Sequence, residues 1–338
     1  KIIQIDHHLA HAASTYYSSK FKNSAILIVD GNGSDVQTNS YFHGRKNKIN
    51  FVDGYKNHGI GAAYGAVTKE ILNLGTGGEG KTMGLAPYGS YDKKIKIPYS
   101  IDGIKTDFSK FMLRLPNSDL LNQINSNYRL QVIRKKTPAA KKSNILSKKY
   151  SNWAYMIQNV TENIVAKLGR DIFNKTKAKN ICLAGGVALN SVANEILFKK
   201  NKFKDIFIFP ACSDAGIPYG LCLWAYHNIY NQKQRIKFIN AYTGIRYDKK
   251  NIKDFLRKIN INFTETNPKE ISKLISKGNI IGNFFGESEY GPRALGNRSI
   301  LADARKKKMR NHINNYIKHR GIYRPFAPAV LENLSLKY

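Results

Sequence analysis

Three short apolar runs, each closed by a glycine- or aspartate-bearing turn, restrict this chain more than any other feature. Ala25–Val29 leads into Asp30-Gly31-Asn32-Gly33-Ser34, Asn180–Ala184 into Gly185-Gly186-Val187-Ala188-Leu189-Asn190, and Asp205–Phe209 into Pro210-Ala211-Cys212-Ser213-Asp214-Ala215-Gly216. β-Branched and aliphatic runs of five residues bounded by such turns read as strands. Helical sequence separates them. Trp153, Met156, Ile157, Val160, Ile164, Leu168 and Ile172 keep a 3.6-residue stripe, read as a core-facing helix. Strands alternating with helices predict an α/β fold, with ligands at the carboxyl ends of the strands.

The first of those carboxyl ends has chemistry close by. Ile2-Ile3-Gln4-Ile5 is apolar and β-branched and reads as a buried strand running into Asp6-His7-His8-Leu9-Ala10-His11; Leu9 to Tyr17 then looks helical. Histidines at i and i+4 share a helix face, so His7 and His11 are spaced to hold one ion. Asp30 supplies the carboxylate of a two-histidine, one-carboxylate set that suits a divalent transition metal. The alternative is a pair of satisfied histidines at a strand–helix junction. Asp214 reads either as a fourth ligand or as a helix N-cap.

Charge points toward anions without specifying nucleic acid. The sequence carries 55 Lys and Arg against 23 Asp and Glu, a formal charge of +32, but its lysines are spread over nearly every loop. The densest clusters, Arg134-Lys135-Lys136, Lys141-Lys142 and Lys306-Lys307-Lys308, lack the interleaved aromatics of a base-stacking platform. A general pull on nucleotides and phosphates fits better. No run of eighteen apolar residues is present, so no membrane span is expected. Cys182, Cys212 and Cys222 have no zinc-like spacing and form no even disulfide set, and the chain opens without a leader-like segment, which together predict a cytoplasmic setting. One motif starts almost at residue 1 and another is still running at Pro325-Phe326-Ala327-Pro328, so the chain reads as a segment of a longer protein.

Organisation changes near residue 235. Gln232-Lys233-Gln234-Arg235 forms a polar joint, so the expected domains are 1–235 and 236–338. In the second, Asn251–Ile259 and Ile271–Ser276 look helical and Asn279–Phe285 strand-like. The segment 90–150 is basic, polar and aperiodic, and reads as an insertion or long excursion near an acceptor site.

Three further motifs bear on ligand binding. Gly75-Thr76-Gly77-Gly78-Glu79-Gly80-Lys81-Thr82 matches the P-loop pattern literally. A P-loop needs a strand before it and a helix after it. Here Gly61–Leu74 reads as helix, and Gly84 and Pro87 oppose helix afterwards, so a differently shaped loop carrying Lys81 to a phosphate or carbamoyl oxygen is expected. Gly185-Gly186 directly after a strand reads as a phosphate cradle or a tight strand-to-helix turn. Glu289-Tyr290-Gly291-Pro292-Arg293-Ala294-Leu295-Gly296-Asn297-Arg298-Ser299 places two arginines, an amide and a hydroxyl within seven residues, as bidentate phosphate binding requires; a solvated loop is the other reading. Lys318, His319, Arg320 and Arg324 follow and extend that anion pocket.

Five blocks in order carry a resemblance over nearly the whole chain: Asp6–Ser14, Gly80–Gly89, Ala184–Asn190, Gly291–Asp303 and Arg324–Pro328. The chain resembles the NodU/CmcH-type carbamoyltransferases. The resemblance implies an ASKHA (actin-like ATPase superfamily) domain followed by a YrdC-like α/β domain, incomplete at both ends. It implies that the second domain makes carbamoyl-adenylate from carbamoyl phosphate and ATP, and that the first transfers the carbamoyl group to a hydroxyl of a small-molecule acceptor. On that basis His7, His11, Asp30 and Asp214 would hold a divalent metal, iron by resemblance. Gly31, Gly33, Gly185, Gly186 and Asn190 would line the nucleotide side, and Asn297, Arg298, Ser299 and Lys318 would bind phosphates, with Lys81 and Arg293 catalytic. Ala304 stands where the family's Ala-Asp-Pro-Arg run has proline, and the residue before Lys81 is Gly80 where the family often has an aromatic. The competing expectations are a tRNA threonylcarbamoyl-type modification enzyme, and an inactive nucleotide- or anion-binding protein.

Overall fold

The computed structural model describes residues 2–112, 138–335 and 337, in two compact units, residues 1–238 and 239–338. The Arg134-Lys135-Lys136 cluster and the middle of the 90–150 segment lie outside the described residues.

The first unit is an α/β domain. Strands β1 (Asn23–Val29), β2 (Gln37–Arg45) and β3 (Lys48–Lys56) form an antiparallel meander, extended by β6 (Asn180–Ala184) and β7 (Asp205–Ile208), which run parallel to β1. The order is β3-β2-β1-β6-β7. All of β1 after Asn23 is buried, which requires cover on both faces and explains its unbroken apolar run. Helices α1 (His7–Ser18) and α5 (Lys148–Thr176) pack on β1, with α7 (Ile217–Asn228) against α1 and α6 (Ser191–Lys200) against α5.

Because β1, β6 and β7 are parallel, the turns after Val29, Ala184 and Ile208 emerge on one edge. Asp6 caps α1 at that edge, its Oδ1 accepting from Leu9 N at 3.0 Å, so His7 and His11 occupy the first two turns. Between β3 and α5 lie α2 (Ile60–Ala66), which runs on through a π-turn to Ile71, α3 (Glu79–Leu85), a hairpin of β4 (Ser100–Asp102) and β5 (Lys105–Asp107), and α4 (Ser109–Met112). Asn39 of β2 ties the hairpin to the sheet through Ile104 O at 2.9 Å and Thr106 Oγ1 at 2.8 Å.

Two local expectations are corrected. Ile2–Ile5 is not a buried strand: no sheet edge pairs with it, and Ile2 is 99% exposed. β-Branched sequence yields a strand only where a neighbour offers backbone partners. Residues 79–85, opposed by Gly84 in the sequence reading, are helical. Burial of Thr82, Gly84 and Leu85, with a Thr82–Thr68 hydroxyl hydrogen bond of 2.8 Å, outweighs the ~1 kcal/mol cost of a helical glycine. The P-loop remains excluded, because α2 and its π-turn precede the motif where a strand would be needed.

The second unit holds α8 (Lys249–Lys258), α9 (Pro268–Ser276), the antiparallel pair β8 (Ile281–Phe284) and β9 (Arg298–Leu301), and α10 (Lys307–His312). Asp248 and Asn267 cap α8 and α9 by accepting from Asn251 N and Glu270 N at 2.7 and 3.0 Å. No helix of the described residues is long and apolar enough to cross a membrane.

Candidate metal centre

The four residues expected to ligate a metal meet at the carboxyl edge of the sheet. One donor atom from each of His7, His11, Asp30 and Asp214 falls within 4.8 Å of all the others. His7 Nε2 lies 3.2 Å from Asp30 Oδ2 and 3.4 Å from Asp214 Oδ1; His11 Nε2 lies 3.3 and 3.4 Å from the same two atoms. Donors about 2.0–2.2 Å from a common ion stand about 3–3.5 Å apart, so the spacing is that of a ligand shell.

The state of His11 is the sharper test. Its side chain is fully buried; Nδ1 has no hydrogen-bond partner among the described residues, and Nε2 faces two carboxylates, 3.3 Å from Asp30 Oδ2 and 3.4 Å from Asp214 Oδ1. Two carboxylates converging on one buried imidazole nitrogen leave negative charge incompletely compensated, which is costly. An ion between the four donors would remove that cost. Two nitrogens and two carboxylate oxygens suit a borderline divalent transition metal.

Asp30 is oriented by backbone. Its Oδ1 accepts from Gly31 N at 2.7 Å and from Gly186 N at 2.9 Å, which turns Oδ2 toward the histidines. Burial alone would raise its carboxyl; the imidazoles of His11 and His7 and the Gly186 amide outweigh that and hold it far below the usual carboxylate range. The hydrogen bond to Asp30 raises His7 above 6.5 against the opposing effect of burial. A metal ion held here would have to displace that proton, so its affinity would weaken as acid protonates His7.

Asp214, 76% exposed, stands in the turn before α7. Its reach to the histidines depends on Gly220, where α7 crosses α1: a Cβ there would sit 2.0 Å from Ala10 O. Gly216, one turn earlier, is equally tight against Ala211 O.

The glycines expected at the nucleotide side have structural duties at this edge. Gly31 and Gly186 bind Asp30. A Cβ on Gly33 would stand 2.8 Å from the His8 ring and 3.3 Å from that of His7. Gly185 has φ +91° and would meet Val29 O at 2.3 Å, as a tight strand-to-helix turn demands. Asn190 caps α6 through Ala193 N at 3.1 Å and pairs with Gln158. Lys81 does not join the four donors; its Nζ donates to Leu74 O at 2.8 Å and closes the Gly75–Gly80 loop.

His8, between the two ligand candidates, points the other way. It is buried, with Nδ1 2.7 Å from Ser40 Oγ. Burial pushes its pKa down to about 4 from 6.5. The unfolded chain therefore takes up a proton that the fold refuses, so stability is full above pH 6.5 and is lost as pH falls toward 4. The loss is about 3 kcal/mol at 1.36 kcal/mol per pH unit. Denaturant unfolding of the metal-free protein at pH 7 and pH 5 should show this slope, and His8→Asn, which keeps an acceptor for Ser40, should flatten it. An unchanged slope in that variant would assign it to other groups.

In the second unit the anion motif is organised by Glu289, whose Oε1 accepts from Leu295 N, Asn297 N and Arg298 N at 3.0, 2.8 and 3.2 Å. Arg298 donates to Phe285 O at 2.7 Å and Gly286 O at 3.1 Å and stacks 3.6 Å above Phe284. Asn297 Nδ2 donates to Glu287 O at 2.7 Å, and Ser299 Oγ accepts from Gly296 N at 3.0 Å. Arg320 is likewise held, by Asn314 Oδ1 at 2.7 Å and the Phe326 ring. Arg293 and Lys318 are exposed, and their side chains make no hydrogen bond or ion pair among the described residues. A carboxylate able to cap a loop three times was legible in Glu289 only as one residue of the motif; its role depends on the loop's curl.

Sequence models described as carbamoyltransferase N-terminus and carbamoyltransferase C-terminus match residues 1–223 and 272–338. Nodulation protein NolNO of Sinorhizobium fredii is 31% identical over 98% of this chain and 48% of its own length. Nodulation protein NolO of Bradyrhizobium diazoefficiens is 30% identical over 97% of this chain and 58% of its own. An uncharacterized Synechocystis protein is 34% identical over 96% and 54%. The chain spans about half the length of the curated relatives it matches.

Proposed function

The chain belongs to the carbamoyltransferase family, and on that premise we propose that it carries a carbamoyl group from carbamoyl phosphate to a hydroxyl of a sugar-like or natural-product acceptor, using ATP and a divalent metal. The observation that carries this reading is the convergence of His7, His11, Asp30 and Asp214, with the buried His11 Nε2 facing both carboxylates. Iron is the metal we assign. When bound, the ion supplies a Lewis acid for the carbamoyl carbonyl and the acceptor hydroxyl.

The protein's own residues set the stage. Asp30, kept ionised and oriented by Gly31 and Gly186, compensates positive charge and fixes the site's position at the strand ends. Asp214, on the exposed side, marks where a substrate approaches. In the second, YrdC-like unit, Glu289 curls the loop so that Arg293 stands free in solvent with all its donors available. A guanidinium of this kind binds phosphoryl oxygens in a fork and stabilises charge that develops there. We assign it to carbamoyl-adenylate formation, in which water cleaves carbamoyl phosphate to carbamate and inorganic phosphate and a carbamate oxygen bonds to the α-phosphorus of ATP as pyrophosphate leaves; the acceptor oxygen then bonds to the carbamoyl carbon, loses its proton, and AMP departs. We place this chemistry in the cytoplasm.

Pyrophosphate release from ATP by the full-length protein, without acceptor, tests the reading. Release should require carbamoyl phosphate and should fall about a hundred- to a thousandfold in Arg293→Ala, the usual effect of deleting one charge-stabilising donor. The fold should be unaffected, because the Arg293 side chain is exposed and makes no hydrogen bond or ion pair among the described residues. Release that ignores carbamoyl phosphate would rule the activity out, and a fully active Arg293→Ala would remove that residue from it.

A further inference from the structure

Gln158, midway along α5, makes every hydrogen bond its amide permits. Nε2 donates to Asn190 Oδ1 at 3.1 Å and to Glu162 Oε1 at 2.9 Å; Oε1 accepts from Asn190 Nδ2 at 2.8 Å and from Tyr64 OH at 2.9 Å. Both Gln158 and Asn190 are buried. A saturated pair in such surroundings allows little adjustment, because moving either amide strands polar atoms away from water.

Asn190 is the far anchor of the turn that holds Asp30. Its backbone N–H donates to Val187 O at 2.9 Å, and its side chain caps α6. The near anchor is Gly185, whose N–H donates to Cys212 O at 2.8 Å. Between these anchors Gly186 N–H reaches Asp30 Oδ1. The reciprocal Gln158–Asn190 pair thus fixes the turn against α5, the turn fixes Asp30, and Asp30 presents Oδ2 to His7 and His11.

We propose that Gln158 is a positioning residue for the metal centre, acting through Asn190 and the 185–190 turn on the Asp30 carboxylate. The inference rests on the metal reading of His7, His11, Asp30 and Asp214. Partners that orient a ligand are typically worth ten- to a hundredfold in metal affinity.

The test is a Co²⁺ titration of the full-length protein followed by visible absorption, which reports ligand geometry as well as occupancy. Gln158→Met keeps length and helix propensity while removing all four hydrogen bonds. It should weaken Co²⁺ binding ten- to a hundredfold and alter the visible bands. Gln158→Glu keeps the acceptor for Asn190 and Tyr64 but loses the donors to Asn190 and Glu162 and sets its carboxylate against that of Glu162, and should weaken binding at least threefold; it decides the question if the methionine variant does not fold. Ile164→Val, which loosens the buried face of the same helix and removes no hydrogen bond of the Gln158–Asn190 pair, should leave affinity and bands unchanged. Wild-type affinity and bands in Gln158→Met, or in Gln158→Glu where that variant decides, overturn the inference while leaving the metal reading intact. Wild-type protein that binds no Co²⁺ overturns the metal reading and this inference with it.

Discussion

Replacing His11 with alanine is expected to weaken divalent-metal binding at least about a hundredfold while leaving the metal-free fold almost as stable as before. The first expectation follows from sharing about 10–16 kcal/mol of binding among four ligands, which leaves about 3 kcal/mol for each. The second follows from the state of the ring. Removing a buried imidazole leaves a cavity and takes a partner from Asp30, but it also removes Nδ1, buried without a hydrogen-bond partner, and relieves the crowding of two carboxylates on Nε2, so the effects oppose each other. The consequence is separable by thermal unfolding. In wild-type protein, metal at about a hundredfold above Kd should add about 2.7 kcal/mol, a rise of several degrees in Tm for a unit of this size. In His11→Ala that metal-linked rise should vanish while the metal-free Tm stays close to wild type. A variant that still gains stability from metal would show that the ion sits elsewhere.

Gly185→Ala should destabilise the first unit by about 3 kcal/mol or more. At φ +91° a side chain is strained by about 1–3 kcal/mol. The added Cβ would also stand 2.3 Å from Val29 O and 2.8 Å from Val29 C, atoms of a central strand that cannot yield as a flexible side chain would. Relief requires the turn to lift, which takes Gly186 N–H off Asp30 and weakens metal binding as well. Against a typical domain stability of 5–15 kcal/mol the loss is large. It also separates two uses of this glycine. A residue needed only to cradle a phosphate would lose nucleotide affinity with its unfolding midpoint unchanged, whereas the packing here predicts a lower midpoint in denaturant without any ligand.

Much of the His7, His11, Asp30 cluster was legible because its signals are short-range. His7 and His11 lie one helical turn apart, and Asp30 ends a strand whose apolar run is unmistakable. The loop chemistry of the second unit was less so. Arg293 and Arg298 look equivalent in sequence, yet Arg298 is taken up by Phe285 O, Gly286 O and the Phe284 ring, and Arg293 is left free. That difference is made by the pairing of β8 with β9, which no local pattern encodes. Ile2–Ile5 erred in the opposite direction, since its composition suits a strand but no sheet edge pairs with it.

The sequence by itself determined the α/β alternation, the helix face shared by two histidines, the strand-end carboxylate and the family. Each is set by periodicity or by motifs within a few residues. Tertiary structure alone decided that Asp214 joins the histidines, through a helix crossing that only Gly220 permits. It also decided which oxygen of Asp30 faces them, through the Gly186 amide and the Gln158–Asn190 pair. Those choices depend on contacts between residues up to about two hundred positions apart, and close packing fixes such contacts only once the whole sheet and its helices are assembled.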